Sequence, residues 1–215
     1  MTENSGTETK IGWNIITTNP YILQTGDVIH VQGKGILSFL IRLFSRGLFE
    51  SRSWASHSAM VLRITDSVEI IEATSKVGKR PIDVYKGKTS KLTIARISRG
   101  LNDDEKKEII AKSEYYEGKK YGVIKIFLHF LDYILFGWNI FRRLACIDKY
   151  PICSWIVAYV YDRVLNYHFG IPPNAAQPDD ISDFCVEDNW DFVWADSDES
   201  LADFNKSYKI RAARK

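Results

Sequence analysis

Apolar and polar positions along this chain alternate in two rhythms, and the places where one gives way to the other predict its elements. A turn at Thr25-Gly26-Asp27 precedes a short strand, Val28–Val31. Ile36, Leu37, Leu40, Ile41, Phe44 and Leu48 then recur at helical spacing, predicting a helix within Gly35–Phe49 that ends near Gly47. Ser56–Ile64 and Val68–Thr74 read as two strands around a hairpin turn at Thr65-Asp66-Ser67. Leu92–Ile97 reads as a further strand. Leu101–Lys119 reads as a surface helix. Asn102 or Asp103 can cap it, and acids crowd its first turn, where the helix dipole favours them.

Tyr121–Trp138 is strongly apolar, broken only by Lys125, His129 and Asp132. It has about the length of a short membrane span, but polar breaks at its centre argue against lipid on all sides. A helix packed on the core, or partly exposed as a lid, is expected. Ile152–Leu165 is apolar on nearly every face, the pattern of a buried helix. Ile171–Asp183 reads as a proline-rich loop. Residues 186–204 hold seven acids and no Lys or Arg, and 205–215 hold five basic residues, which predicts a surface or mobile tail. Residues 1–10 are polar and free of aromatics, so they are expected to be disordered. The division expected is a flexible segment over 1–20, one main domain over 21–185 and a tail over 186–215.

Composition narrows the classes. With 215 residues, 45% of them apolar, the chain can bury one sizeable core. A formal charge of +2 gives no clustered basic field, so nucleic acid is not an expected partner. The cysteines are Cys146, Cys153 and Cys185, too few and too irregular for a disulfide framework. They form no C-x-x-C pair, which argues against structural zinc. The opening MTENSGTETK has no apolar stretch of the secretory kind, so a cytoplasmic location is expected, with other export or membrane-surface association left open.

The candidate chemistry centres on Cys153. Pro151 suits the first turn of a helix, and Cys153 falls within that turn. A thiolate there gains from the positive end of the helix dipole, although a free cysteine can equally be a small buried apolar residue. A thiolate nucleophile calls for a histidine. His129 and His168 lie in helical settings, and His30 alternates with apolar neighbours and is expected to face outward. His57 opens a strand after an exposed loop, where a base can reach solvent. Glu72, a charge inside an apolar strand, is the candidate acceptor for its ring. If Ile64 pairs with Ser67, Ala59 faces Glu72 and His57 becomes its diagonal neighbour on one face. A three-residue loop would turn Glu72 to the other face.

The ordered segments TGDVI, ILSFLIRLF, SHSAMVL, IIEAT, GKKYG, YPICSWIVAYVY and QPDDISD resemble the circularly permuted branch of the NlpC/P60 (papain-like) superfamily. The nearest group is that of YiiX-like hydrolases, with lecithin:retinol acyltransferase-like proteins more distant. The resemblance spans about Leu23 to Asp183. It implies an α+β fold in which an antiparallel β-barrel-like sheet packs on a helix carrying the cysteine. It places the nucleophile on Cys153, the base on His57 and the polar third member on Glu72. Gly26 and Asp27 match a structural "GD" turn. Gly118 and Tyr121 match a G-x-x-Y element in which Tyr121 helps shape the site. Relatives often carry glutamate two residues after the cysteine; here Trp155 stands there and is expected to alter the binding pocket.

The implied function is a cysteine hydrolase of amide or ester bonds that passes through a thioacyl-enzyme and needs no metal or organic cofactor. The expected oxyanion donor is the Cys153 backbone N–H. Peptides and acyl-lipids are the expected substrate classes. An acyltransferase with the same triad, or a non-catalytic binding protein on the same fold, are the alternatives. Lys34, Arg42 and Arg46 punctuate the apolar Gly35–Phe49 segment, a pattern that suits either an anionic membrane surface or packing on the sheet.

Overall fold

The computed structural model describes residues 9–11, 14–16, 23–45, 53–85, 91–119 and 153–212. The predicted Tyr121–Trp138 helix, Tyr121 itself, His129, Cys146 and Pro151 lie outside them.

Two short strands, β1 (Thr9–Ile11) and β2 (Asn14–Ile16), pair antiparallel where a flexible segment was expected. The main sheet follows: β3 (Val28–Gln32), β4 (His57–Ile64), β5 (Val68–Ala73), β6 (Val77–Pro81), β7 (Lys91–Arg96) and β8 (Asp191–Ala195). Its order is β6-β5-β4-β3-β7-β8, every pair antiparallel. Among the described residues the sheet is open, with β6 and β8 at its edges, and does not close into the expected barrel. The helices are α1 (Ile36–Ser45), α2 (Asp103–Tyr115), α3 (Cys153–Leu165), α4 (Pro178–Glu187) and α5 (Asp198–Ala212).

One face of the sheet, with Val28, Met60, Leu62, Ile71 and Ala95, packs against Ile109 of α2, Trp155 to Val160 of α3, Ile181 of α4 and Phe204 of α5. The other face, with Ile29, Ala59, Val61, Ile70 and Ile94, is covered by Leu23 and a 3₁₀ turn, Ile82–Tyr85. Helices gathered on one face of an antiparallel sheet make this an α+β arrangement. Asn102 caps α2 in a reciprocal capping box with Glu105, as its position suggested.

Three expectations need correction. Residues 186–207 do not form a loose tail. The apolar face of β8 and the buried Leu201 and Phe204 of α5 complete the core, and the acids ride on the outer side. The proline-rich stretch is only partly a loop, because Pro178 occupies the first turn of α4, where a missing N–H costs nothing. His30 does not face outward. It sits on a central strand with both faces covered and is fully buried.

His30 lies level with Ser58 on one neighbour and Thr93 on the other. All three are fully buried, and none of their side-chain polar atoms has a hydrogen-bond partner among the described residues. Burial holds the His30 ring neutral, with its pKa lowered to about 3. An unpartnered buried hydroxyl costs stability, so Thr93→Val is expected to leave the fold unchanged or stabilise it by about 1 kcal/mol. Denaturant unfolding checks this. A loss of stability would mean that the hydroxyl has a partner.

Candidate active site

The hairpin of β4 and β5 has a three-residue loop: Ile64 pairs with Val68 and Arg63 with Glu69. Continued regularly, that register would turn Glu72 away from His57. It does not continue regularly. Between Arg63 and Val61 the pairing slips by one residue, leaving Leu62 as the extra residue of a β-bulge. Val61 then pairs with Ile70 and Met60 with Ile71. One step further, Ala59 stands opposite Glu72, with His57 diagonal to it on the same face. The bulge restores the geometry that the loop length alone would remove.

The Thr25-Gly26-Asp27 turn clamps the bulge. The Thr25 hydroxyl donates to the Leu62 carbonyl at 3.1 Å. The Gly26 N–H donates to the Val61 carbonyl, and the Val61 N–H donates to the Asp27 carbonyl, both at 2.8 Å. The Gly26 carbonyl in turn accepts from Tyr161 of α3 at 2.5 Å. Gly26 has φ +92°, a conformation that favours glycine, and a Cβ there would come within 2.4 Å of a terminal methyl of Leu101, which would have to shift. The buried Asp27 carboxylate receives Arg96 Nε and a terminal guanidinium nitrogen at 2.8 and 2.7 Å, and the Gln24 N–H at 2.7 Å. One turn thus ties the strand that carries His57 to the helix that carries Cys153.

Cys153 is the first residue of α3 and 4% exposed. The His57 ring and the backbone N–H groups of Ser58 and Ser154 lie close enough to its sulfur to lower the thiol's pKa. His57 Nε2 lies 2.7 Å from Glu72 Oε2, which leaves Nδ1 for the sulfur. The buried Glu72 carboxylate also accepts from the Tyr85 hydroxyl at 2.5 Å, and Arg80 Nε lies 3.6 Å from its other oxygen. Ser154 Oγ donates to the Ala176 carbonyl at 2.7 Å and fixes the start of α3. On the other side, Ser56 Oγ bridges the Val31 carbonyl and the Gly33 N–H just before His57.

The electrostatics follow from these contacts. Burial alone would push the Cys153 thiol up, but the charge and hydrogen bond of His57 outweigh it and hold the thiol below its usual range. Burial likewise works against a charged His57, but Cys153 and Glu72 raise its pKa to about 10. Burial opposes the Glu72 carboxylate, and His57, Tyr85 and Arg80 together keep it below the ordinary range. Burial and the adjacent carboxylate hold the Tyr85 phenol far above its usual pKa, so it remains a donor. The directions of these shifts favour a thiolate–imidazolium pair backed by a carboxylate. Such a group can attack an electrophilic carbonyl and pass a proton to a leaving group.

Cys153, His57 and Glu72 therefore meet. Trp155 does not join them. It is fully buried, stacked on Tyr159 at 4.5 Å and edge-on to Tyr116 at 4.9 Å, so it packs in the core. His168 is exposed and hydrogen-bonded to Asp162 at 2.8 Å, remote from the site in its partners. Tyr85 and Arg80 were not anticipated from the sequence. Their one available signal was a basic residue within the edge strand β6 and an aromatic residue just after it, beside the strand that carries Glu72. Among the described residues, no group of three or more His, Cys, Asp or Glu is placed to hold a metal ion. No described helix is long and apolar enough to cross a membrane.

No family model matches the chain, and no curated protein matches it. Among solved structures it is similar to the crystal structure of the metalloprotein yiiX from Escherichia coli O157:H7 (DUF1105). The TM-score is 0.48 at 21% identity, over 68% of each chain.

Proposed function

We propose that the protein is a cysteine hydrolase that cleaves an amide or ester bond through a thioacyl-enzyme. The observation that carries this reading is the Cys153 sulfur held against the His57 ring, whose other nitrogen lies 2.7 Å from Glu72. The thiolate attacks the scissile carbonyl and forms the S–C bond. The Cys153 backbone N–H at the start of α3 meets the developing oxyanion. His57 gives its proton to the leaving amine or alcohol as the C–N or C–O bond breaks. It then takes a proton from water, which attacks the thioester. The hydrolysed acid leaves and the thiolate–imidazolium pair returns. Glu72 keeps the ring oriented throughout, and Tyr85 keeps Glu72 oriented.

The experiment is incubation with acyl-ester, acyl-amide and muropeptide libraries, followed by mass spectrometry of the protein and its products. The reading requires a substrate whose acyl group appears on the peptide containing Cys153 and is released as the free acid. Transfer to an added amine or alcohol in preference to water would make it an acyltransferase. Absence of any adduct or turnover would overturn the reading.

Tyr85→Phe tests the support of Glu72. Loss of one hydrogen bond is expected to lower kcat/KM roughly 2–10-fold. It also raises the pKa of Glu72, because the phenol stabilises only the charged form. The acid limb of the pH–rate profile is therefore expected to move to higher pH, a shift that mere loosening of the 3₁₀ turn would not give.

A further inference from the structure

We propose that Gly78 and Arg80 of β6 form a subsite beside Glu72 for an anionic group of the substrate, a carboxylate or phosphate carried near the scissile bond. As a statement about substrate this rests on the hydrolase reading; as a binding site it does not. Gly78 stands directly opposite Glu72 in the pairing of β5 with β6, so a side chain there would share the face of the Glu72 carboxylate. Among the described residues nothing calls for glycine at that point. Its φ is not positive, and the pairing runs through it without a bulge. No described atom lies within 4 Å of where its Cβ would stand. A glycine inside a strand weakens it, and one with no packing or backbone reason marks the close approach of a ligand.

The charge of the subsite comes from Arg80, two residues along β6, on the same face and diagonal to Glu72. Its Nε is 3.6 Å from Glu72 Oε1, too long for a hydrogen bond, and a terminal nitrogen donates to the Thr74 hydroxyl at 3.1 Å. Thr74 lies beyond the level of Gly78. The arginine therefore reaches past the glycine while staying more than 4 Å from where its Cβ would stand. Of the donors on the guanidinium, the one on Thr74 is bonded among the described residues. The side chains of Arg80 and His57 are 41% and 19% exposed, against 3% for Glu72, so the site meets solvent on the Arg80 side. The neighbouring Lys79 points to the other face, where Glu114 and Glu117 hold it at 3.0 and 3.1 Å. A planar fork of donors, steadied by Thr74 and Glu72, matches a carboxylate or phosphate, which it grips through two parallel bonds. A neutral group would serve those donors no better than water does.

The test compares alkylation of Cys153 in the full chain by iodoacetate, which is anionic, and by iodoacetamide, which is neutral and of nearly the same size. The quantity read is the ratio of the two rates. His57 attracts the anion in wild type and variants alike, so its influence cancels in the comparison. Arg80→Gln is expected to lower the ratio about tenfold, and Arg80→Lys to restore part of it. Gly78→Val is expected to lower the ratio at least about threefold by filling the floor of the subsite. Gly78→Ala, whose added methyl meets no described atom, should lower the ratio less and leave the unfolding midpoint at or above that of wild type. Protection of Cys153 from iodoacetamide by propionate or by inorganic phosphate, lost in Arg80→Gln, tells which oxyanion the subsite prefers. Alkylation needs no turnover. An Arg80-dependent preference without any acyl-enzyme would sink the hydrolase reading alone, and turnover without that preference would sink this inference alone. Arg80→Gln slowing both reagents equally would make Arg80 a support of Glu72 and nothing more, which overturns the proposal. So does a ratio that Gly78→Val leaves unchanged.

Discussion

Cys153→Ala is expected to lower kcat/KM on any substrate of the protein on the order of 10³-fold or more, and His57→Ala roughly 10²–10⁴-fold. The double variant should be no worse than Cys153→Ala alone. The reason is that the two groups act as one unit. The imidazolium lowers the thiol's pKa, and the thiolate in turn raises that of the imidazole. Without the sulfur, a base held beside it has nothing to activate. Steady-state kinetics of the two single variants and the double variant check this. Losses that multiply would mean that Cys153 and His57 act separately.

Asp27→Ala is expected to cost about 3 kcal/mol, because it strips the bidentate partner from Arg96 in a largely buried setting. The effect should reach the site as well. Asp27 holds the turn whose backbone clamps the bulge at Val61 and Leu62 and whose Gly26 carbonyl receives Tyr161 of α3. Denaturant unfolding gives the stability loss, and alkylation of Cys153 in the still-folded variant reports the site. Stability within 1 kcal/mol of wild type would show that the turn is not the clamp described here.

How much of this was legible in the sequence depended on whether the signal was local. The near-continuous apolar run of Ile152–Leu165 can only be buried, so a helix bearing Cys153 at its mouth was readable. The strands carrying His57 and Glu72 were readable from their β-type residues. Their relative register was readable only as alternatives. The loop is the length that should have separated the pair, and Leu62 is an apolar residue among apolar residues, with nothing to mark it as a bulge. The bulge is set by the Thr25-Gly26-Asp27 turn, more than thirty residues earlier, and such long-range pairing leaves no periodicity. The same cause hid the burial of His30. Alternation predicts which residues share a face, but not that both faces of a central strand are covered. Around β8 the acids Glu187, Asp188, Asp196, Asp198 and Glu199 outweighed Phe192 and Val193 in the local composition, although those residues complete the core. Trp155 shows the converse. It was expected to shape the binding pocket, yet in this helix it turns into an aromatic cluster with Tyr116 and Tyr159.

The most direct test of the central claim is the pH dependence of Cys153 alkylation by iodoacetamide, read by mass spectrometry. The buried Cys185, whose thiol burial pushes well above its usual pKa, serves as the internal reference. An ordinary thiol reacts about tenfold faster per pH unit until it approaches pKa ~8.5. A thiolate already paired with imidazolium should react at a rate nearly independent of pH from about 6 to 8, and His57→Ala should restore the ordinary steep rise. A wild-type Cys153 that shows the steep rise, or one that His57→Ala leaves unchanged, would contradict the ion pair on which the account rests.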